Sequence, residues 1–284
     1  MRPRTRRGRA LARSGQATLG LWFVLPLVPL LLWAAARRWS YPDVVPSSWG
    51  PEGFVAALND GAGPAFATSL VLGLLTAGLA VPAGAMAAHA LAVDPPPAAR
   101  TITVLLLAPV FVPPFVVVMG LNVVLLRAHV PPLFGIALIL MVTAIPYTTF
   151  VMRSAYAGYD RAIEDEARTL GADPRSVLLR VRIPLLARPL SAAALLAFLV
   201  GWSDYIVTLL VGGGQVVTVP LKVASAASGT GNDAVLAALS VAAVGPPLLL
   251  LLVVGLLARP ARAPRSAQTV STAPSELELT GANR

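Results

Sequence analysis

This chain predicts an all-α, polytopic membrane protein, and three observations carry that prediction. Of its 284 residues, 56% are hydrophobic and only 12% charged, with a mean hydropathy of +0.75. A soluble domain of this size has no interior large enough to hide so much apolar surface. The apolar residues also form runs long enough to cross ~30 Å of hydrocarbon at about 1.5 Å per residue. Finally, arginines stand at the ends of those runs, so the net charge of +9 marks membrane topology rather than a patch for nucleic acid. Cysteine is absent, which removes disulfides, thiolate catalysis and cysteine–metal sites. His89 and His129 stand alone in the sequence, each reading as a structural or surface residue rather than a metal ligand. No cofactor is expected.

Six spans are expected, near Thr18–Ala36, Ala67–Val93, Ile102–Leu126, Phe134–Met152, Pro189–Val211 and Ala234–Ala258. Residues 1–17 form a basic segment ahead of the first span. That span is read as uncleaved, because its apolar run is longer than a signal peptide's and contains Pro26 and Pro29. Pro82, Pro109, Pro113, Pro114, Pro146, Pro246 and Pro247 lie within spans, where neighbouring helices can satisfy the carbonyls that proline frees. Residues 37–66 form a loop rich in Pro, Gly and Ser, with Trp39, Tyr41 and Trp49 as interfacial anchors. Asp94 to Pro97 is a simple breaker, and 259–284 reads as a disordered tail.

Arginine placement sets the orientation. Arg2, Arg4, Arg6, Arg7, Arg9 and Arg13 precede span one. Arg153, Arg161, Arg168, Arg175, Arg180, Arg182 and Arg188 follow span four, and Arg259, Arg262 and Arg265 follow span six. The opposite loops hold Arg37, Arg38, Arg127 and Lys222. The positive-inside rule therefore puts both termini and the long charged loop, residues 157–186, in the cytoplasm.

That loop is the most structured polar part of the chain. Asp160 is placed to cap a helix running to Leu170, with Ile163, Ala167 and Leu170 forming a narrow apolar stripe. Glu164 and Arg168 form an i, i+4 pair worth a few tenths of a kcal/mol. Gly171 can end the helix in a left-handed conformation, and Asp173-Pro174 restarts one at once. The second helix is expected to bury Val177, Leu178 and Val181 and to stop before Pro184. Two readings fit this helix–glycine–helix segment: a docking site for a soluble partner, or an amphipathic hairpin lying on lipid.

Anchored on Gly171, the segment resembles the cytoplasmic loop of permease subunits of binding-protein-dependent ABC importers. That pattern reads Glu-Ala-Ala, three residues, Gly, nine residues, then Ile-x-Leu-Pro. Asp165, Glu166, Ala167, Gly171, Val181, Ile183 and Pro184 occupy its positions, with Glu166 departing from the small residue of the pattern. The resemblance covers residues 67–258 as the permease core, with the first span as an added helix. It implies that these residues seat on a cytoplasmic ATPase homodimer, and that a second permease subunit, related or identical, completes the pathway. A periplasmic or lipid-anchored binding protein would deliver the solute to this inner-membrane assembly. The chain itself has no GxxxxGK[ST] phosphate loop, so the ATPase is a separate polypeptide and this subunit is not an enzyme.

Polar groups inside spans mark candidate pathway residues. Ser203, Asp204, Tyr205 and Thr208 lie in span five, Asn122 in span three, and Thr143, Tyr147, Thr148 and Thr149 in span four. Asp204 reads either as a helix-end charge at the interface or as a pathway carboxylate. Asn122 and the threonines read as interhelical hydrogen-bonding groups. The stretch Trp202–Tyr205, followed by Gly212-Gly213-Gly214 and Val219-Pro220-Leu221, is similar to permeases of the polyamine, thiamine and iron(III) group. It resembles the sugar group less, since their glutamine-rich ending is missing. That similarity implies a small, cationic, polyamine-like solute. A self-contained secondary transporter is the alternative class, but Asp204 is its one candidate intramembrane charge.

Overall fold

The structure, a computed structural model, describes residues 14–15, 18–22, 24–39, 42–93, 95–229, 231 and 233–257. The basic start up to residue 13, Tyr41, Asp94 and the tail from residue 258 lie outside them. The regular elements among the described residues are helices and one two-stranded hairpin: α1 (Leu27–Ala34), β1 (Ala36–Arg38), β2 (Ser48–Trp49), α2 (Glu52–Asn59), α3 (Ala62–Val93) and α4 (Ala99–Phe111). There follow α5 (Pro114–Arg127), α6 (Pro132–Ala157), α7 (Ala162–Thr169), α8 (Pro174–Leu185), α9 (Ala187–Trp202), α10 (Ile206–Gly212), α11 (Val219–Ser228) and α12 (Asp233–Leu257).

α3, α6 and α9 form the central bundle, and α12 joins it through α9. Lipid gives helices no hydrophobic reason to associate, so close contact between small residues must supply the attraction. Ala80, Ala144 and Ala197 meet at one level and Ala88, Ala193 and Met152 at another, all fully buried. At Gly201 the approach is closest: a Cβ there would lie 2.7 Å from Thr76 Oγ1, 2.8 Å from Gly73 Cα and 2.9 Å from the Leu72 carbonyl oxygen. Side-chain hydrogen bonds to backbone fix the register. Thr148 Oγ1 lies 3.1 Å from the Ala80 carbonyl oxygen, and Trp202 Nε1 donates to the Ala243 carbonyl at 2.8 Å. Ala243 is four residues before Pro247, so the indole replaces the N–H that proline lacks.

The spans depart from the expected set in three places. Among the described residues α3, α6 and α12 are individually long and apolar enough to cross a membrane. Span three is not one helix: Val112 is extended ahead of Pro113, and α4 and α5 meet at a sharp bend. Span five is also broken, since Ser203–Tyr205 leave the helix between α9 and α10. The first span is interrupted by a turn at Leu25–Pro26, and only α1, packed on α12, continues it.

Residues 37–66, expected to be a loop, carry regular elements among their described residues. Ala36–Arg38 pair antiparallel with Ser48–Trp49, Arg37 pairs with Glu52 at the start of α2, and α2 buries Ala57 beside Ala238 and Leu239 of α12. Trp39 stacks on Trp33 with ring centroids 4.5 Å apart, while Trp49 stays exposed. Gly213 and Gly214 have φ of 52° and 81°, the left-handed values a turn needs to bring α11 back against α3 and α12. There the Val219 N–H donates to Ser69 Oγ at 2.8 Å, and Lys222 Nζ reaches Asp60 Oδ2 at 3.0 Å.

Candidate functional site

The charged loop folds as a two-helix elbow, α7 and α8, held by its own polar groups. Asp160 Oδ1 accepts the Ala162 N–H at 2.9 Å, which starts α7 as its position predicts. Gly171 then takes φ +86° in open space, so backbone conformation alone demands glycine there. Asp173 Oδ2 accepts the N–H groups of Arg175 and Ser176 and starts α8, again as predicted. The Ser176 side chain foremost, with those backbone N–H groups, holds the Asp173 carboxyl below its ordinary value.

Past this point α8 differs from expectation. It does not stop before Pro184. Residues Val177–Arg182 widen into a π-helical turn and the helix continues through Ile183–Leu185. A π turn shifts the hydrogen-bonding register by one residue just ahead of the imide that cannot donate, so the helix absorbs its proline. Val177 is buried and Val181 half-buried, but Leu178 is exposed.

The faces of α7 are also the reverse of a simple amphipathic helix. Ile163 is 43% and Leu170 83% exposed, with Ala167 half-buried between them, while the residue turned inward is Glu164, only 4% exposed. Its carboxylate takes a bidentate pair from Arg182, Nε to Oε1 at 2.7 Å and Nη2 to Oε2 at 2.6 Å, and a 2.8 Å hydrogen bond from the Tyr159 hydroxyl. Arg168 adds a longer contact at 3.6 Å. Arg182 foremost, with the Tyr159 hydroxyl, holds the Glu164 carboxyl down to about 2 against the cost of burial. Burial first, then the hydrogen bond to that carboxylate, pushes the Tyr159 phenol up to about 12.

Sequence reading missed this cluster. The i, i+4 partner Arg168 satisfied Glu164 on paper, whereas the partner that buries it lies 18 residues away. A charged side chain inside Val181-Arg182-Ile183-Pro184 was the available signal.

The other singled-out residues scatter. Asp165 is exposed, 3.5 Å from Arg168; Glu166, Ile183 and Pro184 are exposed as well. Asp204 caps α10, with Oδ2 accepting from the Thr208 N–H and hydroxyl at 2.8 Å each and Oδ1 from the Val207 N–H at 3.3 Å. Thr208 is buried, Tyr205 is exposed, and Ser203 donates back to the Leu199 carbonyl. Asn122, half-buried on α5, and Tyr147, exposed on α6, have no hydrogen bond or ion pair to this cap among the described residues. Of the threonines, Thr148 makes the expected interhelical bond and Thr143 bonds within its own helix, while Thr149 is buried with its hydroxyl unpartnered. His89 lies edge-on to Tyr156, ring centroids 5.2 Å apart, and no metal-binding cluster occurs among the described residues.

A bundle of apolar helices with an exposed polar elbow between α6 and α9 defines a membrane protein of the transporter-permease class. The sequence model of the family described as "Binding-protein-dependent transport system inner membrane component" matches residues 80–264, and the chain belongs to that family. It is a multi-pass inner-membrane permease subunit of a binding-protein-dependent ABC importer. It is 27% identical over 252 residues to the putative 2-aminoethylphosphonate transport system permease protein PhnV of Salmonella typhimurium, covering 87% of this chain and 93% of that one. It is 26% identical over 211 residues to the diacetylchitobiose uptake system permease protein NgcG of Streptomyces coelicolor, covering 70% and 68%. The fold matches a chain of a bacterial ABC transporter that imports the acidic polysaccharide alginate, with TM-score 0.62, 17% identity, and 91% of this chain and 100% of that one covered.

Proposed function

We propose that this subunit forms half of a solute pathway and that the α7–α8 elbow receives the motion of a separate cytoplasmic ATPase dimer. The observation that carries this is the outward apolar edge of α7: Ile163 and Leu170 are exposed although Glu164, on the same helix, is buried. A helix that exposes its leucine to water while hiding its carboxylate is built to meet a protein surface. Asp165, Glu166 and Ala167 lie on the same helix, Gly171 sets the corner behind it, and Val181, Ile183 and Pro184 form the return arm.

The reading includes cytoplasmic termini, residues 67–258 as core, a second permease subunit, and an external solute-binding protein. The solute is proposed as small and polar. A cationic, polyamine-like solute rests on Asp204 alone, whose oxygens are engaged in capping α10. The similar permeases described above are named for diacetylchitobiose and 2-aminoethylphosphonate uptake, which span a neutral sugar and a phosphonate.

The test is co-purification of the full-length chain with its co-expressed ATPase. Leu170→Asp places a charge on the docking edge and should lose the ATPase while the permease itself stays monodisperse. Retention of the ATPase at wild-type yield would overturn the proposal.

A further inference from the structure

Five side chains connect the elbow to the bundle in one unbroken series. His89 of α3 meets Tyr156 of α6 edge-on at 5.2 Å, and Tyr156 meets Tyr159 edge-on at 6.3 Å. The Tyr159 hydroxyl donates to Glu164 of α7 at 2.8 Å, and Glu164 takes the bidentate pair from Arg182 of α8. Four helices therefore converge on one small polar cluster, which sits between an apolar cavity of about 540 Å³ and a polar cavity of about 180 Å³. His89, Tyr156 and Arg182 line both cavities.

Without that cluster α7 has little to hold it. It has eight residues, its apolar side chains point outward, and Glu164 is its one buried side chain. A helix so short is not stable alone in water. Its position relative to α8 must therefore come from the Glu164–Arg182 pair, and its position relative to the core from Tyr159. Downstream, Leu186 is buried with Ala88, Met152 and Ala193, so α8 is fastened to α9 and α3 beyond its π turn.

We infer that Tyr159, Glu164 and Arg182 are positioning residues that make the elbow one mechanical body with α3, α6 and α9. The inference rests on the ATPase-coupling proposal for its purpose, but not for its geometry. A fork of two parallel N–H···O bonds resists sliding and rotation together, which a single bond does not. Motion delivered at Leu170 then displaces the bundle instead of hinging at Gly171.

The chain has no cysteine, so paired labels can be placed without background. Spin labels on Thr169→Cys, off the docking edge, and Leu196→Cys, both exposed, report the distance between the end of α7 and α9. In the full-length chain with its ATPase, in lipid nanodiscs, one narrow distance is expected, unchanged by ATP plus vanadate. Glu164→Gln and Arg182→Met should each lose the single distance to a broad or doubled distribution. Tyr159→Phe, which removes one hydroxyl and spares the fold, should broaden it less. The charge-exchanged pair, Glu164→Arg with Arg182→Glu, should recover a narrow distance. A narrow distance retained in both single charge variants overturns the strut. If the ATPase fails to stay bound to the unaltered chain, the coupling proposal fails instead, and the label distance in the chain alone still decides the strut.

Discussion

The bundle of α3, α6 and α9 and the elbow of α7 and α8 pack helices by opposite means. In the bundle, contact comes from glycine and alanine, and the polar bonds reach mostly from side chain to backbone, as from Thr148 to Ala80 and Trp202 to Ala243. In the elbow, contact comes from a buried ion pair. The solvent explains the difference. Where lipid surrounds the helices an ionised pair is expensive and close backbone approach is the available attraction. Where water surrounds them, a short helix gains from a charge pair shielded on one side and kept hydrated on the other, as Arg182 is.

The largest effect is expected where the bundle has no room. Gly201→Val would drive a side chain into Thr76 and into the backbone of Leu72 and Gly73, and backbone cannot move aside as a flexible side chain can. A cost of about 3 kcal/mol or more is expected. It should appear as loss of monodisperse protein on gel filtration; a variant as thermally stable as the parent would show that small-residue packing does not hold this bundle.

The elbow should lose somewhat less, and should lose it differently. Glu164→Ala leaves a largely buried guanidinium without its fork, at about 2–3 kcal/mol, because part of Arg182 remains hydrated. Hydrogen exchange should rise in α7 and α8 while α3 and α6 stay protected; a rise throughout would mean the two regions are not separable.

Acid and alkali sharpen the same contrast. The Glu164 pKa is held at about 2 against an ordinary 4.5, so its contribution is present above 4.5 and fades as pH falls toward 2. The Tyr159 pKa is raised to about 12 from 10, so its contribution is full below 10 and fades as pH rises toward 12. Elbow protection should therefore stay flat between about pH 5 and 9 and fall outside that window, and Glu164→Gln should abolish the acid limb. A decline centred near neutrality would contradict the assignment of the pair.

Gly171→Ala isolates backbone conformation from contact, since a Cβ there meets nothing and only the left-handed φ is penalised. About 1 kcal/mol of elbow stability should go, read by hydrogen exchange, with ATPase retention unchanged. Loss of the ATPase at this substitution would show that Gly171 is itself part of the docking face.

What was legible in the sequence follows from range. Asp160, Gly171 and Asp173 act on backbone within four residues, and their roles could be read from position alone. The fold class was legible because hydropathy integrates over whole spans. The breaks at Val112–Pro113 and Ser203–Tyr205 were obscured because apolar composition continues across them, and composition reports length rather than direction. The Glu164–Arg182 pair was hidden for a third reason: it depends on how α8 unwinds into a π turn, which no local preference of Val177–Arg182 announces. The inward charge on α7 then turned the apolar stripe outward, against the usual assumption that the stripe marks the buried face.

Asp204 gives the smallest effect and the finest comparison, because it is a carboxylate within the span region that, unlike Glu164, has no cationic partner among the described residues. Both of its oxygens accept, so asparagine, with one acceptor oxygen, keeps the two short bonds from Thr208 and gives up only the longer one from the Val207 N–H. Asp204→Asn should therefore change thermal stability by no more than a few tenths of a kcal/mol, whereas Asp204→Ala should cost about 1 kcal/mol. Equal losses in the two variants would mean that the charge is needed and the cap is not. Asparagine matching aspartate, with alanine behind both, would place Asp204 among the residues that shape the break between α9 and α10.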